Sequence, residues 1–219
     1  MHRLWAEMVK HGIASGNIVK GIEKRKAVPK AHEAYSAAQL AQIFEALEAK
    51  GKNLYLCARL MFHALLRPHR ECRLIQRKHI DFERGVVSVP ASIRKGDDAF
   101  ILPMHPDLMR ALRSHGVAEL SPNDYVIHAD DPAQSVGPDY FKVLWKRLKP
   151  ELIEAGILRK EQTLYSIRHT AACMYYVKTK DPEELQRLMG HKDLETTLIY
   201  LRSLGIYTKP IELGNLPAL

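Results

Sequence analysis

The sequence predicts a mainly α-helical domain with a small antiparallel β-sheet or hairpin inserted, an α+β arrangement. Three observations predict it. Apolar residues recur at spacings of three and four through most of the chain. Two short β-rich runs, GVVSVP (85–90) and AFILP (99–103), flank the turn-like loop SIRKGDD. Hydrophobic residues make up 46% of the 219, enough for one sizeable core.

The elements follow in order. LWAEMVKHGI has a weak helical pattern, with Leu4, Met8 and Val9 on one face. The next stretch, KGIEKRKAVPKAHEAY, is basic and poor in apolar groups, and reads as a linker or a strand-like tether. A lone helix this short is marginal in water. Residues 1–30 are therefore expected to be the end of a missing N-terminal domain plus a basic linker. Ser36 then starts the main domain, with Gln39 three residues on completing a capping box. Leu40, Ile43, Phe44 and Leu47 repeat at helical spacing, and Gly51 stops that helix. NLYLCARLMFHALL (53–66) is apolar nearly all round and predicts a central buried helix. Pro68 ends it or begins the next element. RECRLIQRKHI predicts a short amphipathic helix carrying Leu74 and Ile75.

After the two strands, HPDLMRALRSHG reads as a helix, and DYVIHA as a third short strand or a buried extended segment. PDYFKVLWKRLKPELIEAGI is helical with an interruption expected at Pro150. LYSIRHTAACMYYVKT, DPEELQRLMGH and LETTLIYLRSL complete a helical C-terminal half, with Asp181 and Asp193 as N-caps. The main domain is expected over 31–203. The tail, 204–219, has no strong period and is expected to pack on its own domain or on a neighbour.

Composition narrows the function. The formal net charge of +8 favours an anionic partner, of which nucleic acid is the commonest. Cys57, Cys72 and Cys173 are scattered with no CxxC pair, which suggests neither a zinc site nor a disulfide framework and fits a reducing cytosol. No apolar run reaches the ~20 residues of a membrane span. The start, MHRLWAEMVKHG, has no signal-peptide core. A cytoplasmic protein with no membrane partner is expected.

Four places set charged or phenolic groups among apolar helices: Arg67, Lys95, the trio Tyr165, Arg168 and His169, and the string GHKDLETTLIY, where His191 precedes Tyr200 by nine residues. Each has a plain structural alternative. Arg67 can cap a helix C-terminus, Lys95 can be a solvated turn residue, and His191 after Gly190 can belong to a C-cap. Tyr200 can pack through its ring at a core edge. Arg168 is harder to dismiss, because a cation near a helix N-terminus opposes the dipole unless an anion sits close by.

In LLRPHRECRLIQRKHIDF, RKGDDAFILPMH, YSIRHTAA and MGHKDLETTLIYLR, these groups occur in the order of a known family. Together the strings span about residues 33–203, and the chain resembles the tyrosine recombinases of the phage integrase family. The resemblance implies the catalytic-core fold of that family and assigns roles. Tyr200 is the nucleophile, Arg67 and Arg168 clamp the scissile phosphate, Lys95 is the β-hairpin lysine, and His191 is the second histidine of the set. Tyr165 stands where the family usually has its first histidine, and His169 is expected to be structural. The implied reaction cleaves and rejoins DNA through a 3′-phosphotyrosine link. Two arginines stabilise the charge that attack adds to the phosphate, so neither metal nor cofactor is expected. Lys95 on its loop protonates the leaving 5′-hydroxyl. The link retains the bond energy, so exchange needs no ATP.

The chain departs from the family pattern in three respects. Tyr165 replaces a histidine, Glu71 lies four residues after Arg67 where three is usual, and only residues 1–24 remain of an N-terminal core-binding domain. The resemblance also implies double-stranded DNA as partner, a homo-tetramer on DNA built from monomers free in solution, and an accessory DNA-bending protein. Basic groups outside the site are candidate backbone contacts: Lys20, Lys24, Arg25, Lys26 and Lys30 in the linker, then Arg70, Arg73, Arg77, Lys78 and Arg94. Two other readings stay open at this point. One is a DNA-binding protein that keeps the fold without the catalysis, and the other is a type IB topoisomerase-like enzyme.

Overall fold

Ser36 sets the first turn of the main unit. Its hydroxyl accepts from the Gln39 N–H at 3.1 Å, and the Gln39 side chain accepts from the Ser36 N–H at 2.9 Å. This satisfies two donors that a helix start otherwise leaves open. The computed structural model describes residues 2–16, 18, 33–94 and 99–206, and the chain forms two compact units, 1–30 and 31–219. In the first, α1 (His2–Lys10) is a short helix. The linker cations Lys20, Lys24, Arg25, Lys26 and Lys30 lie outside the described residues.

In the second unit, α2 (Ala37–Lys50) buries Leu40, Ile43, Phe44 and Leu47, as the spacing predicts. Gly51, at φ 141°, turns the chain straight into α3 (Lys52–His63). This helix buries Leu54 to Ala58, Leu60 and Met61 and packs against α2 and three later helices. It ends at His63, three residues short of the expected Leu66. Leu65 adopts a left-handed backbone, φ 50°, which costs a β-carbon-bearing residue about 1 kcal/mol. Arg67 follows extended, at φ −84° and ψ 131°. That is the conformation Pro68 imposes on the residue before it. Pro68–Cys72 is a single π-helical turn, closed by the Cys72 N–H donating to the Arg67 carbonyl at 3.0 Å.

The amphipathic helix expected over 70–80 does not persist. The N–H groups of Arg77 and Lys78 donate to the carbonyls of Asp124 and Pro122, both at 2.8 Å, and Val126 N–H donates to Ile75. Lateral pairing with 122–126 thus replaces helical pairing. DYVIHA is the buried extended segment of the two alternatives, joined to Gln76 by an isolated bridge. The third strand lies elsewhere. β1 (Ile80–Asp81), β2 (Val86–Val89) and β3 (Phe100–Pro103) form an antiparallel sheet in that order, with Ile80 opposite Val87 and Val87 opposite Leu102. Ile80, Val87, Val89 and Leu102 face the core.

The remaining helices are α4 (Pro106–Ser114), α5 (Tyr140–Glu154), α6 (Ser166–Thr179), α7 (Pro182–Met189) and α8 (Leu194–Ser203). α4, α5 and α6 are the three later helices that pack on α3. α5 runs through Pro150 without the expected interruption. Pro150 is exposed, so the carbonyl that loses its partner can reach water, while buried Leu148 and Leu152 hold the helix on either side. A second, smaller core cluster of Leu65, Ala171, Ala172, Tyr176, Leu185, Met189 and Leu201 ties α6, α7 and α8 together. No helix among the described residues is long and apolar enough to cross a membrane.

Candidate active site

The break after α3 places Arg67, and the π turn folds Glu71 back onto it. A π turn holds more residues than an α turn, so Glu71 reaches Arg67 across four positions. One Glu71 oxygen accepts from Arg67 Nη1 at 2.7 Å and the other from the Arg67 N–H at 2.7 Å. The Glu71 side chain is 3% exposed and that of Arg67 20%. Removing one member of such a pair leaves a poorly solvated charge. Glu71→Ala is therefore expected to lower stability by about 3 kcal/mol, read as a fall in the urea midpoint at unchanged slope.

Arg168 lies in the first turn of α6, behind Tyr165 at the N-cap. It is the largest fully buried side chain among the described residues, at 1% exposure. Its Nη2 donates to the Met189 carbonyl at 3.0 Å, and Arg67 Nη2 reaches the same oxygen at 3.3 Å. The two guanidinium groups thus converge on the last carbonyl of α7, at the negative end of that helix. Arg168 Nε and Nη1 are buried without a hydrogen-bond partner. Burial lowers the Arg168 pKa from its ordinary value, with Arg67 adding to that and Tyr165, Glu71 and Tyr200 opposing it. Buried cationic donors left open are costly, and an incoming anion would satisfy them.

Asp193 caps α8 through the Thr196 N–H at 2.6 Å, and the helix carries Tyr200 to the same region. The Tyr200 ring stacks on His169, centroids 4.9 Å apart and planes at 21°. Its hydroxyl and His169 Nδ1 are hydrogen-bonded. Tyr165 also meets the His169 ring, edge-on at 5.0 Å. Burial pushes the Tyr200 phenol well above its ordinary pKa, Cys173 adds to the rise, and Arg168 opposes it. His191 follows Gly190, the left-handed end of α7. Its ring stands 6.1 Å from that of Tyr200, and its Nδ1 is 2.8 Å from the buried Thr197 hydroxyl.

Arg67, Tyr165, Arg168, His191 and Tyr200 are thus gathered where α3, α6, α7 and α8 meet. Lys95 lies outside the described residues. His169, expected to hold a neighbouring helix or backbone, is hydrogen-bonded to the Tyr200 hydroxyl on α8.

The other basic candidates differ in their surroundings. Arg73 donates to the carbonyls of His69 and Val136, and Arg77 to that of Ile80 at 2.7 Å while covering Phe82. Arg70 donates to the Ser92 carbonyl, and Lys78 to the Asn123 side chain. Arg94 lies over Phe100, and its guanidinium fills the space a β-carbon on Gly190 would take. Among the described residues, His63, His105 and Asp107 place potential metal-ligating atoms within 4.8 Å of one another. Arg59 Nη1 stands 3.4 Å from His63 Nε2, and a cation so placed opposes a second one.

The model of the phage integrase family matches residues 34–205. The tyrosine recombinase XerA of Thermococcus onnurineus is 25% identical over 179 residues, covering 81% of this chain and 59% of that protein. The tyrosine recombinase XerD of Lacticaseibacillus casei is 37% identical over 59 residues, 27% of this chain and 20% of that one. In structure, a lambda integrase dimer bound to a COC′ core site superposes with TM-score 0.69 at 18% identity, covering 97% of this chain and 59% of the other. The XerA recombinase crystal structure gives TM-score 0.61 at 22% identity, over 88% of this chain and 66% of the other. The structural likenesses are likenesses of fold. The chain spans 59% of the length of the XerA relative.

Proposed function

The chain belongs to the phage integrase family, and from that premise we propose that it is the catalytic domain of a site-specific DNA recombinase. It cuts and rejoins strands through a 3′-phosphotyrosine intermediate. The observation that carries this reading is the pair of arginines converging on the Met189 carbonyl, with two open buried donors on Arg168, beside a buried phenol. An anionic phosphodiester fits those donors.

In this reading Arg67 and Arg168 bind the non-bridging phosphate oxygens and hold the charge that grows on them in the transition state. Tyr200 attacks phosphorus, and His191 donates a hydrogen bond to the phosphate. Lys95 gives a proton to the leaving 5′-oxygen, and Tyr165 lines the pocket. The lambda integrase dimer is bound to a core site in its structure, which supports duplex DNA as the substrate here. Residues 1–30 are the end of an N-terminal DNA-clamping domain with its linker, 31–203 form the catalytic domain, and 204–219 are a tail that docks on an adjacent copy. The working form is a tetramer on DNA, assembled from monomers in the cytoplasm, with an accessory DNA-bending protein.

The test is a nicked suicide duplex carrying the element's own junction, incubated with the full-length protein and run in SDS. An SDS-stable adduct, indifferent to EDTA and mapped to the Tyr200 peptide, is the expected result. Salt-sensitive binding to the same duplex without any adduct would overturn the catalytic reading in favour of a binding-only protein.

A further inference from the structure

We infer that His169 is the base that takes the phenolic proton from Tyr200, the part that Tyr165 cannot play. The inference rests on the recombinase reading above.

The geometry is specific. His169 is 5% exposed and contacts two rings, Tyr165 edge-on at 5.0 Å and Tyr200 stacked at 4.9 Å. Its Nδ1 is hydrogen-bonded to the Tyr200 hydroxyl, the atom that attacks. A neutral imidazole offers one donor and one acceptor nitrogen. A phenol O–H donating to Nδ1 is the arrangement a proton transfer requires. The neighbouring candidates serve less well. Tyr165 is itself a phenol and offers no ring nitrogen to take a proton. The His191 Nδ1 faces Thr197 at 2.8 Å. Burial and Cys173 raise the Tyr200 pKa, so a standing phenolate is not available and the proton must leave during attack.

The step balances. The Tyr200 O–H bond breaks as its oxygen bonds to phosphorus, and the proton moves to His169 Nδ1. The bond from phosphorus to the 5′-oxygen breaks, and that oxygen takes a proton from a separate acid, Lys95 in the reading above. In rejoining, the imidazolium returns its proton to the departing phenol. One group therefore serves as base in cleavage and acid in ligation, so the exchange is symmetrical.

The test uses the full-length protein, the suicide duplex and a second duplex with a bridging 5′-phosphorothiolate at the cleavage position. A thiolate leaves without being protonated, so it repairs loss of the acid but not of the base. With the ordinary duplex, His169→Ala and His169→Asn are both expected to slow adduct formation at least about 100-fold. Asn accepts a hydrogen bond in the place of Nδ1 but cannot hold the proton. The phosphorothiolate should restore Lys95→Ala and leave both His169 variants slow. In the DNA-free protein, the His169 Nδ1 resonance should shift in Tyr200→Phe. A His169→Asn rate within threefold of wild type, rescue of His169→Ala by the phosphorothiolate, or an unmoved Nδ1 signal would each overturn the assignment of the base alone. A wild-type protein that forms no adduct on either duplex would sink the recombinase reading, and the base with it.

Discussion

Tyr200→Phe ends adduct formation altogether and leaves binding to the same duplex within about threefold of wild type. The substitution removes one oxygen and keeps the ring that stacks on His169. The α8 helix therefore has no reason to move. What is lost is the bonding atom, the hydroxyl held by His169 Nδ1. The fold should weaken by about 1 kcal/mol, because His169 Nδ1 loses its partner inside a buried cluster. An SDS gel reads the first effect and a salt titration of binding the second. A residual adduct in this variant would assign the nucleophile to another residue.

Arg168→Lys keeps the charge and removes the fork. Three donors of the guanidinium matter here: Nη2 held by the Met189 carbonyl, and Nε and Nη1 left open. An ammonium on a shorter reach cannot present two donors to a phosphate while keeping the third contact. Loss of one such transition-state donor typically slows a reaction about 10²–10³-fold. Adduct formation at saturating DNA is expected to fall by that amount. Binding should change by less than tenfold, because a side chain this buried adds little to the long-range attraction of the surface. A variant that binds much more weakly yet cleaves at the normal rate once saturated would place Arg168 in substrate binding and not in the transition state.

Local chemistry was what the sequence made legible. The Ser36–Gln39 box, the four buried positions of α2, the β2 and β3 strands and the Asp193 cap all depend on near neighbours, and all appear in the structure. Features decided by distant partners were not legible. The segment 70–80 has a helical pattern, but Asp124 and Pro122 take its N–H groups. Pro150 breaks helices in general, yet buried Leu148 and Leu152 hold this one. The left-handed Leu65 that ends α3 early carries no signature, because leucine is an unusual residue there. The family motifs supplied the candidate residues, and the structure gathers Arg67, Tyr165, Arg168, His191 and Tyr200. Only the packing of α6 against α8 sets His169 beside Tyr200, since the two are 31 positions apart.

The carbonyl of Met189 has a mechanical consequence. Two like charges on separate elements share it as a common tether, so their spacing is set by where α7 ends. The next residue, Gly190, begins the turn that leads into α8 and Tyr200, and Arg94 from the β2–β3 connection presses on that turn. Arg67, Arg168, Arg94 and the approach to Tyr200 therefore meet at one turn. A partner molecule that pushes on that turn would displace these side chains together, without touching any of them.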